Sequence, residues 1–167
     1  RRQAYTRPRR PLIVFTPKSM LRLKAASSSV QDFTQGSFQP VIPDQQGLDN
    51  SAVRRVILCS GKVYWDLMAE IEKRGEKSIA VVRIEQLYPT PVAEMQAAIA
   101  QFPNAQLRWV QDEPLNQGPW TYMGLFMPKY GISFTPVARP ASASPASGSA
   151  KRHAAEQADL VQRALQD

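Results

Sequence analysis

Two short segments that are apolar without alternating constrain the fold more than anything else in the chain. RRVILCSG at 54–61 and SIAVVRIEQLYP at 78–89 carry their apolar side chains on successive residues. Neighbouring side chains on a strand point to opposite faces, so strands of this kind must be buried on both sides. That burial requires helices above and below a mostly parallel sheet.

The intervening segments supply them. In KVYWDLMAEIEKRG at 62–75, Val63, Leu67, Ala69 and Ile71 are apolar and Gly75 suits a helix C-cap. TPVAEMQAAIAQF at 90–102 offers Thr90 as N-cap, Pro91 at the first helical position, and Val92, Met95 and Ile99 on one face. QLRWVQ at 106–111 reads as a further strand, GISFTPVARP at 131–140 as a less regular one, and a helix is expected from about Ser149. PLIVFTP at 11–17 is short, apolar and bounded by prolines, and predicts another buried strand. Residues 18–24 allow one or two helical turns, and the polar stretch from 25 to 53 reads as a long surface loop. The expectation is a basic lead-in arm at 1–10 followed by one domain over 11–167, an α/β three-layer sandwich with a mostly parallel sheet. A chain opening on Arg1 rather than methionine is expected to be a piece of something longer.

The net charge of +7 belongs to one place. Residues 1–24 hold eight cations and no acid, and the remainder sums to −1. A basic arm of this kind is more often solvated or packed on an acidic neighbour than bound to a polyanion. With no interleaved aromatic and basic surface, nucleic acid is not an expected partner. No apolar run approaches the roughly 20 residues of a membrane helix, and no apolar signal core follows the basic start. The single Cys59 excludes an intramolecular disulfide framework, and the expected setting is the reducing cytoplasm.

Catalytic patterns are missing. No GxGxxG, GxxxxGK[ST] or GxSxG occurs, and His153 has no second histidine with which to build a metal site. Cys59 ends a buried strand and reads as packing. Asp112 and Glu113 are adjacent, so an extended backbone sends them to opposite faces. Glu85 pairing with either for acid–base work is a minor reading beside ordinary solvated strand ends. No catalytic and no metal-ligating residue is therefore assigned. Two weak anion sites remain: Ser60 and Lys62 at one helix start, Ser149 and Arg152 at another. With Arg9 and Arg10 beside the first expected strand, they make a candidate pocket for a nucleotide-like effector.

The stretch WVQDEPLNQGPW at 109–120 is the most unusual. Its acids and amides, Asp112, Glu113, Asn116 and Gln117, suit ties to loop backbone or to a neighbouring subunit, and Trp120 offers apolar area to an interface. The alternative is a self-contained loop with Trp120 in its own core. Glu85 and His153 are the remaining interface candidates.

Five ordered motifs, RPLIVFTPKSMLR (10–22), VILCSGKVYWDL (56–67), IAVVRIEQLYP (79–89), WVQDEPLNQGPW (109–120) and RPASASPASGSAKRHAAEQADLV (139–161), resemble the C-terminal domain of the E1 component of 2-oxoglutarate dehydrogenase. The resemblance is greatest to the actinobacterial multifunctional 2-oxoglutarate metabolism enzymes. It departs at Asp112, where two glutamates are usual, at Pro119, where alanine is usual, and between Met123 and Phe134, where the segment looks shorter. The resemblance implies a transketolase C-terminal domain-like fold in a homodimeric enzyme using thiamine diphosphate and Mg²⁺. The diphosphate motif begins Gly-Asp-Gly and lies in other domains, and this chain contains no Gly-Asp pair. The fragment alone is therefore expected to bind no cofactor and to be inactive. Implied partners are the other domains of the same chain, a second copy, the E2 succinyltransferase, and acetyl-CoA or AMP as effector, with Arg10 among the contacts. The same domain of another transketolase-superfamily enzyme, and a free-standing anion-binding module, stay open as alternatives.

Overall fold

A computed structural model describes residues 5–166. Arg1 and Arg2 of the basic arm lie outside the described residues. Five strands, β1 Val41–Ile42, β2 Arg55–Cys59, β3 Ile79–Ile84, β4 Gln106–Pro114 and β5 Thr135–Arg139, form one sheet in the order β1-β3-β2-β4-β5. β2 pairs in parallel with β3 and with β4, β4 with β5, and only β1 runs antiparallel. Among the described residues the helices include α1 Val30–Thr34, α2 Val63–Arg74, α3 Val92–Ala100, α4 Trp120–Phe126 and α5 Ala150–Leu165.

Every residue of β2 is buried, as is β3 apart from Arg83. Alternate residues feed two cores. Val56, Leu58, Ala80, Val82 and Trp109 pack with Met95 of α3 and Met123 of α4. Ile57, Cys59, Val81 and Val110 pack with Leu67 of α2 and Leu160 of α5. This is the expected three-layer α/β sandwich with a mostly parallel sheet. Gly75 ends α2 at φ +63°, a left-handed conformation that glycine adopts without Cβ strain. Among the described residues no helix is long and apolar enough to cross a membrane.

Several expectations are corrected. PLIVFTP is neither strand nor buried: Leu12 to Phe15 are solvent-exposed in irregular backbone. Apolarity marks a segment that wants cover but does not say where the cover is. The outer edge of β3 is already taken by β1 and by side chains, since Val81 N–H donates to Asp44 Oδ2 (2.8 Å) and Ile79 O accepts from Gln46 Nε2 (3.1 Å). The 25–53 stretch therefore holds an edge strand and the short α1 as well as loop. Thr90 does not cap α3; its hydroxyl donates to Leu87 O (2.9 Å) and lies 2.8 Å from the Tyr122 hydroxyl. Ala69 faces solvent, and Tyr64 takes the buried place beside Val63, Leu67 and Ile71.

Candidate functional site

The carboxyl ends of β2, β4 and β5 converge on a polar cluster. β2 ends at Cys59, the chain turns through Gly61 at φ +74°, and Lys62 stands at the N-cap of α2. One helical turn on, Asp66 Oδ2 accepts from Lys62 Nζ at 2.5 Å, and Asp112 Oδ2 of β4 lies 3.8 Å from the same ammonium. Gln157 of α5 bridges the two acids, its Nε2 donating to Asp66 Oδ2 (2.8 Å) and Asp112 Oδ1 (2.6 Å). The Gln157 carbonyl accepts from Arg139 of β5 at 2.8 Å. Arg139 is 7 % exposed. The same terminal nitrogen lies 3.1 Å from His153 Nδ1, which must be the acceptor because a guanidinium only donates. Glu156 sits 4.0 Å from Arg139 Nε and accepts from Arg152 Nε at 2.6 Å. The cluster thus fastens α5 to α2 and to two strands through charge-assisted bonds.

A second network organises 109–120. Trp109 is fully buried, and its indole N–H donates to Gln111 Oε1 (3.1 Å). The same oxygen accepts from Trp120 N–H (2.8 Å), while Gln111 Nε2 donates to Pro114 O (3.1 Å) and Gln117 O (2.7 Å). Gln111, 2 % exposed, is the hub, where the sequence marks only a polar strand end. The further signal was that it shares a strand face with Trp109. Asn116 exchanges two 3.0 Å bonds with the backbone of Ser142, and Gln117 Nε2 donates to Ser142 O (2.8 Å). These amides tie loop backbone of their own chain. Trp120 is half-buried against the first core, its ring lying where a Cβ on Gly124 would come within 2.9 Å. Gly118, at φ +65°, leaves room for Glu113, which a Cβ there would meet at 3.0 Å.

The structure therefore unites Lys62, Asp112, Arg152 and His153 in one connected set, with Ser149 capping α5 beside it by accepting from Arg152 N–H at 3.4 Å. Ser60 is half-buried at the end of β2. Glu85 stays apart, pairing with Arg83 at 2.8 Å, and Glu113 points away from Asp112 to a groove shared with Tyr88 and Tyr122. Arg9 and Arg10 are exposed on an N-terminal segment that forms no strand.

Chemically the cluster is a brace. Burial pushes the Cys59 thiol far above its ordinary range, so no thiolate is available. Among the described residues no group of three His, Cys, Asp or Glu is placed to hold a metal. Asp66 of α2 and Asp112 of β4 are engaged by Lys62 and Gln157, so this donor set does not fit a magnesium-diphosphate group. No step through thiamine diphosphate is assigned to these residues.

The architecture matches a solved structure described as "Split gene transketolase, inactive beta4 tetramer", with a TM-score of 0.50 and 13 % identity over 77 % of this chain and 43 % of that one. At that identity the likeness speaks for the fold alone: a transketolase C-terminal-type α/β domain. A sequence profile described as "2-oxoglutarate dehydrogenase C-terminal" covers residues 27–165, and the chain belongs to that family. It is 44 % identical over 169 residues to a 2-oxoglutarate dehydrogenase E1 component of Cupriavidus necator, spanning 99 % of this chain and 18 % of that protein. It is 45 % identical to a 2-oxoglutarate dehydrogenase E1/E2 component of Corynebacterium glutamicum, over 99 % of this chain and 14 % of that protein. A multifunctional 2-oxoglutarate metabolism enzyme of Mycolicibacterium vanbaalenii is 44 % identical over 93 % of this chain and 13 % of its own length. The chain spans less than a fifth of these relatives.

Proposed function

We propose that the chain is the non-catalytic assembly and regulatory domain of a cytoplasmic, homodimeric E1 component. Its parent decarboxylates 2-oxoglutarate oxidatively, using thiamine diphosphate and Mg²⁺ held by other domains, and passes the succinyl unit to the lipoyl group of E2. The observation that carries this reading is the family match over 27–165, joined to a polar cluster whose charges are spent on holding helices to strands. Dimer contacts fall at the carboxyl edge of the sheet, where Glu85, Glu113 and His153 are exposed above the loop built by Asp112, Asn116, Gln117 and Trp120. An acetyl-CoA or AMP effector is drawn by the helix starts at Ser60–Lys62 and Ser149, with the exposed cation Arg152 beside the second.

The test has two arms. Full-length protein supplied with thiamine diphosphate and Mg²⁺ is expected to release CO₂ from 2-oxoglutarate, with a rate that responds to acetyl-CoA or AMP. The 167-residue chain alone is expected to give no heat with thiamine diphosphate in a calorimeter. Tight cofactor binding or keto-acid turnover by the chain alone would reject the brace reading. An effector-insensitive full-length enzyme would reject the regulatory part.

A further inference from the structure

The N-terminal quarter turns its apolar side chains outward. Among the described residues, ten of the fifteen exposed large hydrophobics lie between Tyr5 and Phe38, and no residue before Val41 is buried. Four are consecutive: Leu12, Ile13, Val14 and Phe15 are 67, 77, 70 and 95 % exposed. They sit between Pro11 and Pro17 in backbone that joins neither helix nor strand. A contiguous apolar run of this kind marks an interaction surface. It is flanked by Arg7, Arg9, Arg10 and Lys18, and no acid precedes Asp32.

Relatives align with 99 % of this chain, and therefore through the run, yet the family profile begins only at residue 27. The run thus lies ahead of the part that the family profile covers, in proteins more than five times as long. We propose that residues 7–15 are a docking strap. Leu12 to Phe15 seat on an apolar face of another folded unit of the same, longer polypeptide, and carboxylates on its rim meet Arg7, Arg9 and Arg10. Opposite charges around an apolar centre fix the register of such a contact. The proposal rests on the reading of the chain as part of a longer E1 polypeptide.

The experiment places photoreactive benzoylphenylalanine at position 15 of the full-length protein, one aromatic ring for another, in a preparation assembled from isotopically heavy and light chains. Crosslinks are expected to fall on sequence outside these 167 residues, always between peptides of the same isotopic label. Arg10→Glu is expected to lower their yield severalfold and Arg10→Lys to preserve it. Amides 12–16 are expected to exchange slowly with deuterium in the wild-type protein. Crosslinks between heavy and light chains, crosslinks confined to residues 40–166, or fast exchange at 12–16 would each overturn the strap. A full-length enzyme that turns over 2-oxoglutarate while Phe15 stays in solvent overturns the strap alone. A natural product of only 18.7 kDa would overturn the strap and the parent-enzyme reading together.

Discussion

Gln111 shows how one buried amide can tie the end of a strand, the turn after it and the start of a helix together. Its oxygen serves two N–H donors and its nitrogen two carbonyls, and of these the Trp109 indole and the Pro114 carbonyl would otherwise be stranded away from water. Gln111→Leu keeps the volume and removes every bond, so it is expected to cost about 2–4 kcal/mol, read as a lower urea midpoint with an unchanged slope. A loss below about 0.5 kcal/mol would mean that water replaces the amide. At the opposite end of the sheet, Glu76 accepts from Ser78 N–H (2.8 Å) and Ser78 Oγ (2.8 Å) and pairs with Arg54. Those bonds, the Ser78 backbone N–H first, hold its carboxyl below the ordinary value of 4.5. A depressed carboxyl stabilises the fold above its unfolded pKa and loses that contribution as pH falls through the folded one. Glu76→Gln is therefore expected to cost about 1 kcal/mol at pH 7, allowing for solvent screening. The difference should shrink as pH drops below 4.5, where wild type and variant converge. A pH-independent gap in thermal unfolding would contradict this account.

At the scale of elements, α5 is held at both ends by side chains from the sheet. Its last carbonyls, which no helical N–H can reach, are met by two arginines from the amino ends of β2 and β4. Arg108 NH1 donates to Arg163 O (2.8 Å), Ala164 O (3.0 Å) and Gln166 O (2.6 Å), and Arg55 NH1 to Leu165 O (3.1 Å). Desolvation first, then Arg108 and Arg54, lowers Arg55 to about 10, which still leaves it charged at neutral pH. Arg108→Met keeps the aliphatic stem and removes the donors; the expected cost is about 2–3 kcal/mol. Amide exchange should quicken over the last turn of α5 before anywhere else, and uniform exchange across the helix would count against the capping role. These elements were legible to different degrees. β2, β3, α2 and α5 stood out because apolar runs and a C-terminal glycine reflect local burial and local backbone freedom. PLIVF was misassigned because an apolar run reports a need for cover and not which surface supplies it. β1 escaped because two residues between Pro40 and Pro43 carry no period at all. At the site, Lys62, Asp112 and His153 were legible as polar groups at strand and helix ends. Gln111 and Arg139 were legible only as polar strand ends, and Gln157 not at all, since amides and arginines read as surface until the partners that bury them are known.

On the scale of the whole molecule, the folded body and the chain are not coextensive. Both cores draw their buried residues from Val41 to Leu165, and the β3 edge is closed from within by Asp44 and Gln46 rather than by the apolar run upstream. The N-terminal segment touches the body lightly, with Leu23 and Ala25 lining a groove of about 430 Å³ against Trp65 and Met68. A segment that contributes no buried side chain contributes little to the cooperative transition, because stability follows the apolar area removed from water. Deleting residues 1–37 is accordingly expected to change the unfolding free energy of the remaining chain by less than about 1 kcal/mol. The same deletion should raise solubility, because it removes Leu12 to Phe15 from solvent. Urea unfolding of the two forms, followed by tryptophan fluorescence from Trp65, Trp109 and Trp120, checks this directly. A collapse of the transition on deletion would mean that the strap completes this domain's own core and is not reserved for a neighbouring unit.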